Sequence, residues 1–281
     1  LMLADASFIA IDNILNEKPL PERQKLNVPE NTEISLNDVS FWYEEGVKAI
    51  DHISMTIKPG TVTALVGESG GGKSTVANLI ARFWDVSDGS VTVGGVDVRD
   101  LDYSDLMKHI SVAFQDTNLF KMSVAENVAM YKPDASRKEI LEALQQARCE
   151  DILEKLPNGM DSVIGAKGVY LSGGEMQRIA LARAILKDAP IVLLDEATAF
   201  ADAENEYLIQ KALDVLLKGK TVLMIAHRLQ TIVHADQIIV LQKGRIVEQG
   251  THEALMQQQG VYAGMYHEYE RSVSWRIGGQ S

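Results

Sequence analysis

The sequence contains very little cysteine and has no long apolar run. Its single cysteine, Cys149, cannot form an internal disulfide, which suits a reducing compartment. No apolar run approaches the roughly 18 residues that a membrane-spanning helix requires. The N-terminus also lacks the basic and apolar regions of a signal peptide. These absences exclude a disulfide-stabilised secreted scaffold and predict a soluble, cytosolic piece of protein.

Basic residues are also scarce. The 281 residues include 27 lysines and arginines against 39 aspartates and glutamates, which gives a formal net charge of -12 at pH 7. No run of five or more basic residues occurs. Proteins that bind nucleic acid normally present a basic stripe, because it displaces counterions from the phosphates. The composition therefore disfavours nucleic acid as a partner, while the length is sufficient for a full hydrophobic core.

Apolar periodicity separates a short leader from the rest of the chain. Apolar residues at near-helical spacing in residues 8–15 predict an amphipathic helix, and the prolines of residues 19–21 end it. From Thr32 the pattern alternates between apolar and polar residues, as in strands, with a shift at Asn37–Asp38 that predicts a bulge. Gly94–Gly95 lies between two valine-rich segments and predicts a two-residue hairpin turn.

The second half of the chain combines helices with short buried strands. Residues from about Thr117 to Lys187 are mainly helical in pattern, and Ser136 to Glu139 forms a capping box. Continuous apolar runs then appear at residues 191–194, 221–226 and 237–241. Such runs, separated by helices, are typical of a parallel sheet that is covered on both faces. The predicted fold class is α/β, with an antiparallel β portion near the front and a helical insertion in the middle.

A glycine-rich loop indicates phosphate binding. Gly67–Ser74 matches the pattern G-x-x-x-x-G-K-[ST] at every fixed position, after a predicted strand and before a predicted helix. Glycines allow successive N–H groups to turn inward towards phosphate oxygens, and the helix N-terminus adds partial positive charge. We expect Lys73 to reach the β- and γ-phosphates and Ser74 to bind magnesium. A chance match in a glycine-rich turn is the alternative. The apolar face of the following helix is predicted to contain Val76, Leu79, Ile80 and Phe83.

A second element supplies carboxylates. The apolar run Ile191–Leu194 ends in Asp195 and Glu196. Buried, unpaired carboxylates are costly, so two of them at the end of a buried strand require an explanation. We expect Asp195 to hold magnesium through water and Glu196 to orient or deprotonate an attacking water. An exposed acidic turn after the strand would be the ordinary alternative.

A third element is a glycine turn at the start of a helix, in Leu171–Glu175. Ser172 is placed to cap the helix, which leaves the N–H groups of Gly173 and Gly174 open to an anion. A single nucleotide does not need two such sites. Two molecules arranged head to tail could each lend this turn to the nucleotide of the other. The alternative is a simple helix cap with glycines that allow close packing.

Together, these motifs resemble the nucleotide-binding domain of ATP-binding cassette (ABC) transporters, of the exporter type in which membrane and ATPase parts share one chain. The resemblance extends from Thr32 to Glu270, with all motifs in order. It implies a P-loop NTPase core with an antiparallel β subdomain and an inserted α-helical subdomain at about residues 117–187. Residues 1–31 would then be a linker and the end of a truncated transmembrane region, and residues 32–281 the ABC ATPase domain.

The resemblance also assigns roles to single residues. Gln115 matches the Q-loop glutamine, Asp202 the D-loop aspartate and His227 the H-loop histidine that touches the γ-phosphate. Tyr43 falls where an aromatic residue stacks on adenine. Tyr43, Gln115 and His227 could each also be ordinary structural residues. The implied nucleotide-binding residues are Tyr43, Gly67, Glu68, Ser69, Gly70, Gly71, Gly72, Lys73, Ser74, Thr75, Gln115, Ser172, Gly173, Gly174 and Asp202. The implied catalytic residues are Glu196, His227 and Gln115, and the implied magnesium ligands are Ser74, Gln115 and Asp195.

Three departures from the family pattern stand out. Residues 199–202 read Ala-Phe-Ala-Asp where Ser-Ala-Leu-Asp is usual, which is similar to a subgroup linked to siderophore and iron traffic. Residues 165–168 lack the acidic residue that is common in exporters, and Glu175 occupies the last place of the signature, usually Gln. The first two bear on communication across the dimer and with the membrane helices. Glu196 is present, so competence for hydrolysis is expected.

The sequence therefore predicts an ATP-binding and ATP-hydrolysing domain of an ABC membrane transporter, with ATP and Mg²⁺ as ligands. The expected partners are a second nucleotide-binding domain, identical or different, and the transmembrane domain of the same parent chain. The expected location is the cytoplasmic face of a bacterial inner membrane. One alternative is a soluble ABC-type ATPase acting on nucleic acid or ribosomes, which usually carries two cassettes or long coiled coils. A P-loop kinase is another, but it would not need residues 171–175.

Overall fold

The computed structural model describes residue 20 and residues 27–44, 46–113, 119–165, 169–195, 203–226 and 229–278. The strands are β1 (Ile34–Trp42), β2 (Lys48–Ile57), β3 (Val62–Val66), β4 (Asp88–Val93), β5 (Val96–Asp97), β6 (Ile110–Ala113), β7 (Ile191–Asp195), β8 (Thr221–Ile225), β9 (Gln237–Gln242) and β10 (Arg245–Gly250). The helices are α1 (Lys73–Ile80), α2 (Tyr103–His109), α3 (Val124–Ala129), α4 (Arg137–Gln146), α5 (Glu150–Lys155), α6 (Gly173–Lys187), α7 (Ala203–Leu217), α8 (His252–Gln258) and α9 (Val261–Gly278).

The front of the chain forms an antiparallel sheet with the strand order β2-β1-β4-β5. The register of β1 against β2 shifts between Leu36 and Val39, and Asp38 has a positive φ of 49°, so the predicted bulge is confirmed. Val93 pairs with Val96 across the Gly94–Gly95 turn, which confirms the predicted hairpin.

The second sheet has the order β10-β9-β3-β8-β7-β6. Strands β9, β3, β8, β7 and β6 are parallel, and β10 is added antiparallel to β9. The three apolar runs predicted as buried strands are β7, β8 and β9, so the predicted α/β class with a parallel sheet is confirmed. Strand β3 is hydrogen-bonded on both sides, and the loop that follows it therefore starts from the middle of the sheet.

Both faces of the parallel sheet are buried. Ala64 and Val66 of β3 belong to one apolar cluster, with helices α3 to α9. Leu65, between them, belongs to a second cluster that joins the antiparallel sheet and α1. Successive side chains of a strand point to opposite faces, so each strand contributes to both cores. This explains why the strands read as continuous apolar runs.

Helices α3, α4 and α6 begin in the same way. Each has a serine at the N-cap and a glutamate three residues later, and each forms both hydrogen bonds of a capping box. The box predicted at Ser136 is therefore confirmed. No helix among the described residues is both long enough and apolar enough to cross a membrane.

The end of α1 differs from the prediction. The helix ends at Ile80, and Arg82 has a left-handed φ of 52°. Phe83 therefore leaves the apolar face of the helix and is 38% exposed, whereas Val76, Leu79 and Ile80 are buried as predicted. A left-handed residue changes the direction of the chain, so helical spacing no longer describes where Phe83 points.

Candidate functional site

The glycine-rich loop between β3 and α1 is held in a form that only glycine allows. Gly67, Gly70 and Gly72 have positive φ angles of 142°, 77° and 102°. A Cβ at Gly67 would collide with the backbone oxygen of Leu241. A Cβ at Gly72 would lie 2.7 Å from Ile50 Cδ1 and 2.9 Å from the backbone oxygen of Ala49. The loop is thus in close contact with both sheets.

The tip of the β9–β10 hairpin supports this loop. Its two turn residues, Lys243 and Gly244, both have positive φ, of 49° and 76°, as in a tight hairpin. Gly244 N–H donates to Gly71 O at 3.2 Å, and Gly244 O accepts from Asp51 N–H at 2.9 Å. The hairpin tip therefore connects the loop to β2 of the antiparallel sheet.

Lys73 lies inside the loop. Its side chain is buried, and Nζ donates to the backbone oxygens of Gly67 and Glu68, both at 2.8 Å. Burial lowers the pKa of Lys73, and the charge of Asp195 opposes part of that shift. Among the described residues, the hydrogen-bond acceptors of this buried ammonium are carbonyl oxygens, which carry no full charge, so the group is well placed to receive an anion.

The start of α1 has no side-chain cap. Its N-cap residue is Gly72, which carries no side chain to accept a hydrogen bond. Within the described part of the chain, no acceptor pairs with the N–H groups of Lys73, Ser74 or Thr75. Uncapped N–H groups and the helix dipole together favour an anion at this position.

Oxygen atoms from distant parts of the chain meet beside this helix start. Ser74 Oγ donates to Asp195 Oδ2 at 3.2 Å, although 121 positions separate the two residues. Asp195 is the last residue of β7, at the same edge of the sheet as the loop after β3. A hydroxyl and a carboxylate are ligands that Mg²⁺ accepts, so the residues present fit a magnesium ion.

Tyr43 follows β1 and borders the same helix. Its hydroxyl lies 3.2 Å from Thr75 Oγ1, and its side chain is 49% exposed. The ring of Tyr43 makes edge contacts with Phe41 at 4.8 Å and with Trp84 at 5.4 Å between centroids. The structure thus presents two half-exposed aromatic rings next to the loop. Trp84 is absent from the sequence-based predictions because its contact with Tyr43 joins distant segments.

The glycine turn at α6 is a second helix N-terminus of different construction. Ser172 Oγ accepts from Glu175 N–H at 3.3 Å, and Glu175 Oε2 accepts from Ser172 N–H at 2.8 Å. The predicted role of Ser172 as N-cap is confirmed. For Gly173 and Gly174, no acceptor of their N–H groups exists among the residues that the structure describes.

Helix α7 approaches this turn very closely. A Cβ at Gly174 would lie 2.8 Å from Cβ of Asn205. Arg178, one turn further along α6, is buried and donates to Asn205 Oδ1 at 3.1 Å, to both oxygens of Asp151 at 2.6 and 2.9 Å, and to Arg148 O. One guanidinium therefore holds α5, α6 and α7 together. Sequence reasoning missed this contact set, because 27 positions separate Arg178 from Asp151 and from Asn205.

Four of the predicted site residues lie outside the described residues: Gln115, Glu196, Asp202 and His227. The strands that precede three of them are described. β6 ends at Ala113, β7 at Asp195 and β8 at Ile225, and these three strands are neighbours in the parallel sheet. Their carboxyl ends therefore meet at the edge that also carries the loop after β3.

Comparison with known proteins agrees with this arrangement. The family model described as ABC transporter matches residues 50–199. The mycobactin import ATP-binding/permease protein IrtA of Mycolicibacterium thermoresistibile is 52% identical over 233 residues, covering 83% of this chain and 26% of that protein. The ATP-dependent lipid A-core flippase of Saccharophagus degradans is 45% identical over 267 residues, covering 95% of this chain and 45% of that protein.

A solved structure of a bacterial Atm1-family ABC exporter with ATP bound has a TM-score of 0.85 at 34% identity, over 95% of this chain and 47% of that chain. The chain spans less than half the length of each of these proteins. The matched family covers both the glycine-rich loop and the strand that ends at Asp195. The chain therefore belongs to the ABC transporter family, and it is an ATP-binding, ATP-hydrolysing domain of the exporter type.

Proposed function

We propose that this domain binds ATP with magnesium between two copies arranged head to tail, and that hydrolysis powers transport by an attached membrane part. The observation that carries the proposal is the presence of two helix N-termini with open N–H groups, those of α1 and α6, which pack against different elements of the fold. Helix α1 packs against β2, β4 and β8, whereas α6 packs against α3, α4, α7 and β6. One nucleotide needs only the first start, so the second is available to the nucleotide of a partner.

Magnesium would be held by Ser74, Asp195 and Gln115. The first two already meet at 3.2 Å beside the open start of α1, which supports this assignment. When bound, the ion neutralises charge on the β- and γ-phosphates. Lys73 would release its two carbonyl contacts and donate to phosphate oxygens instead. Such charge-assisted hydrogen bonds are about twice as strong as neutral ones.

Glu196 and His227 would act on the γ-phosphate. Asp195, directly before Glu196, pairs with Ile225 of β8, which lies two positions before His227. This pairing supports a common location for the two side chains at the edge of the sheet. Glu196 would orient or deprotonate the attacking water, and His227 would contact the γ-phosphate.

Adenine would stack on Tyr43. The ring is half-exposed and is fixed in place by its edge contact with Trp84 and by the 3.2 Å contact of its hydroxyl with Thr75. Because Thr75 lies in the first turn of α1, the base and the phosphates of one nucleotide could be bound together. Stacking of a base on an aromatic side chain contributes about 1–3 kcal/mol.

A groove on the surface supports a membrane partner in the same protein. It has a volume of 610 Å³ and contains Phe83, Tyr103, Met107 and Tyr131, with Lys187 lying 4.6 Å from the centre of the Tyr131 ring. The three aromatic side chains of this groove are 38–58% exposed, which is unusual for such large apolar groups. The groove adjoins β6, which leads to Gln115. We assign it to a cytoplasmic loop of the transmembrane part, which would hold the domain at the cytoplasmic face of the membrane.

The cargo would be chosen outside this domain. The matched relatives are named for mycobactin import and for lipid A-core flipping, although their identities to this chain, 52% and 45%, are similar. One ATPase design thus serves different cargo. Nucleic acid is not a proposed partner, because the net charge is -12 and the matched relatives are membrane transporters.

The test is a variant that binds ATP but does not hydrolyse it. We expect Glu196→Gln to form stable dimers in size-exclusion chromatography with ATP and magnesium, because loss of the base stops turnover. The double variant Glu196→Gln with Lys73→Ala is the control, and we expect it to remain monomeric. A strictly monomeric profile of Glu196→Gln at high protein concentration would contradict the head-to-tail arrangement.

A further inference from the structure

The turn at α6 carries a negative charge at the place proposed for an incoming phosphate. Glu175 is the third residue of α6, and its Oε2 accepts the N–H of Ser172 at 2.8 Å. A carboxylate at this position stabilises its own helix through the dipole. The same carboxylate would repel the triphosphate of a partner that approaches Gly173 and Gly174. A glutamine at this position would carry no such charge.

Lys155, the last residue of α5, lies against this carboxylate. Its Nζ is 3.1 Å from Glu175 Oε1 and 3.8 Å from Asp151 Oδ2. The Glu175 side chain is only 14% exposed, whereas Lys155 is 67% exposed. Burial tends to raise the pKa of Glu175, but the hydrogen bonds from Ser172 and Lys155 outweigh it, so the pKa lies below its ordinary value. Glu175 is therefore ionised and has a cationic partner.

The neighbouring charges are already balanced between themselves. Arg178 is buried and forms a two-pronged ion pair with Asp151 at 2.6 and 2.9 Å. Fork-to-fork pairs of this kind are among the strong charge-assisted interactions. Two positive groups, Arg178 and Lys155, thus face two negative groups, Asp151 and Glu175. Within this group of four side chains, removal of Lys155 leaves one net negative charge at the glycine turn.

We propose that Lys155 is a positioning residue for ATP-driven dimerisation: it neutralises Glu175, so that the partner's triphosphate meets the open N–H groups of Gly173 and Gly174 without repulsion. This inference rests on the proposed head-to-tail function and deepens it. Lys155 does not touch the nucleotide and acts only through Glu175. The substitution of Gln by Glu in the signature would thus be compensated by a lysine from α5.

The test measures the dissociation constant of the ATP-bound dimer in the Glu196→Gln background. We expect Lys155→Ala to weaken each of the two nucleotide sites about two- to fivefold, as for a partly exposed ion pair, and hence the dimer about four- to 25-fold. Lys155→Arg keeps the charge and is expected to restore the dimer. ATP affinity of the single chain, measured in dilute solution, is expected to be unchanged.

Two further variants separate neutralisation from a structural role. In the Glu175→Gln background there is no charge to neutralise, so we expect Lys155→Ala to have little effect on dimer affinity. Lys138→Ala is the matched control, because Lys138 is an exposed lysine on the preceding helix α4, where it lies 3.9 Å from Glu142. We expect it to leave dimer affinity unchanged. Thermal denaturation of each variant checks that it is folded.

The different failures can be told apart. If Lys155→Ala weakens the dimer equally with Glu175 present and in the Glu175→Gln background, Lys155 does not act through Glu175, and the inference is wrong. If Lys155→Ala has no effect while Glu175 is present, it is also wrong, while the head-to-tail function stands. If Glu196→Gln itself stays monomeric with ATP, the proposed function fails, and the inference fails with it.

Discussion

The two glycine-rich helix starts of this domain differ in whether side chains accept hydrogen bonds from their backbone N–H groups. At α1 the N-cap is glycine, no side chain of the described residues caps the helix, and a buried lysine lies inside the loop. At α6 the N-cap is Ser172. Its capping box with Glu175 uses two backbone N–H groups, that of Ser172 and that of Glu175. The first helix start is therefore uncapped and has a cationic side chain beside it. The second has a capping box and carries a carboxylate.

This difference agrees with the two tasks proposed for them. The N–H groups of the open start are left to water or to a ligand, so this start suits the phosphates of the nucleotide that the chain itself binds. The capped start is stable without a ligand, because Ser172 and Glu175 satisfy each other. In the proposed head-to-tail arrangement the start of α6 is exposed until a partner binds, so it must be stable without a ligand. Helices α3 and α4, which have the same box, show that the capped form is the ordinary one in this fold.

The largest expected effect concerns the shape of the open start. Gly72→Ala is expected to lower the free energy of unfolding by about 2–4 kcal/mol, because its Cβ would meet Ile50 and Ala49 in addition to the strain of a left-handed residue. Gly70→Ala is the control: its φ is also positive, but apart from its own chain neighbours no atom of the described residues lies within 4 Å of the added Cβ, so about 1–2 kcal/mol is expected. Urea denaturation measures both. Equal losses would mean that the contact with β2 is unimportant.

The next largest effect concerns the charge of the open start. Lys73→Ala is expected to weaken ATP binding by about 1.5–3 kcal/mol, or about 10- to 150-fold, because a charge-assisted contact to phosphate is lost. Isothermal titration calorimetry measures the affinity. Lys58→Ala, at an exposed lysine after β2, is the control and is expected to bind ATP normally. Unchanged affinity in Lys73→Ala would show that the loop is not the phosphate site.

The third prediction compares two capped starts. Ser172→Ala and Ser136→Ala each remove the serine of a capping box, so each is expected to cost about 1 kcal/mol of unfolding free energy. Only Ser172→Ala is expected to reduce ATP hydrolysis, and to reduce it more than ATP binding. Steady-state rates and binding affinities of both variants provide the test. Equal hydrolysis rates in the two variants would reduce Ser172 to a helix cap.

The smallest expected effect is the pH dependence of the stability that Glu139 contributes to the capping box of α4. In the box of α4, hydrogen bonds from Lys132 and from Ser136 lower the pKa of Glu139 from 4.5 to about 2. A lowered pKa in the folded state stabilises the fold above pH 4.5, and this contribution disappears as the pH falls through about 2. The stability difference between wild type and Glu139→Gln is therefore expected to shrink between pH 6 and pH 3, roughly the range over which an unperturbed glutamate becomes protonated. Urea midpoints at the two pH values measure it, and a constant difference would contradict the shifted pKa.

Features that depend on neighbours in sequence were predicted correctly. The bulge at Asn37–Asp38, the Gly94–Gly95 hairpin and the caps at Ser136 and Ser172 each arise within a few residues, so local patterns are sufficient. The buried strands were equally visible, because burial on both faces makes them continuously apolar.

Contacts between distant segments could not be predicted in this way. Trp84 beside Tyr43, Asn205 against Gly174 and Lys155 against Glu175 depend on how helices and sheets pack, which no local pattern records. The prediction that Phe83 lies on the apolar face of α1 was wrong for a related reason, because the left-handed Arg82 ends the helical spacing before Phe83. The roles assigned to Gln115, Glu196, Asp202 and His227 stay predictions.

The hairpin tip at Gly244 has a consequence for the way in which ligand binding spreads through the domain. It accepts from the amide of Asp51 on one side and donates to Gly71 on the other, so a chain of two backbone hydrogen bonds links the loop to the front sheet. A nucleotide that makes the loop more rigid would then slow amide hydrogen exchange at Asp51, which lies in a strand that precedes the loop. Ordering by the ligand would thus reach the sheet through two backbone hydrogen bonds, without any side chain.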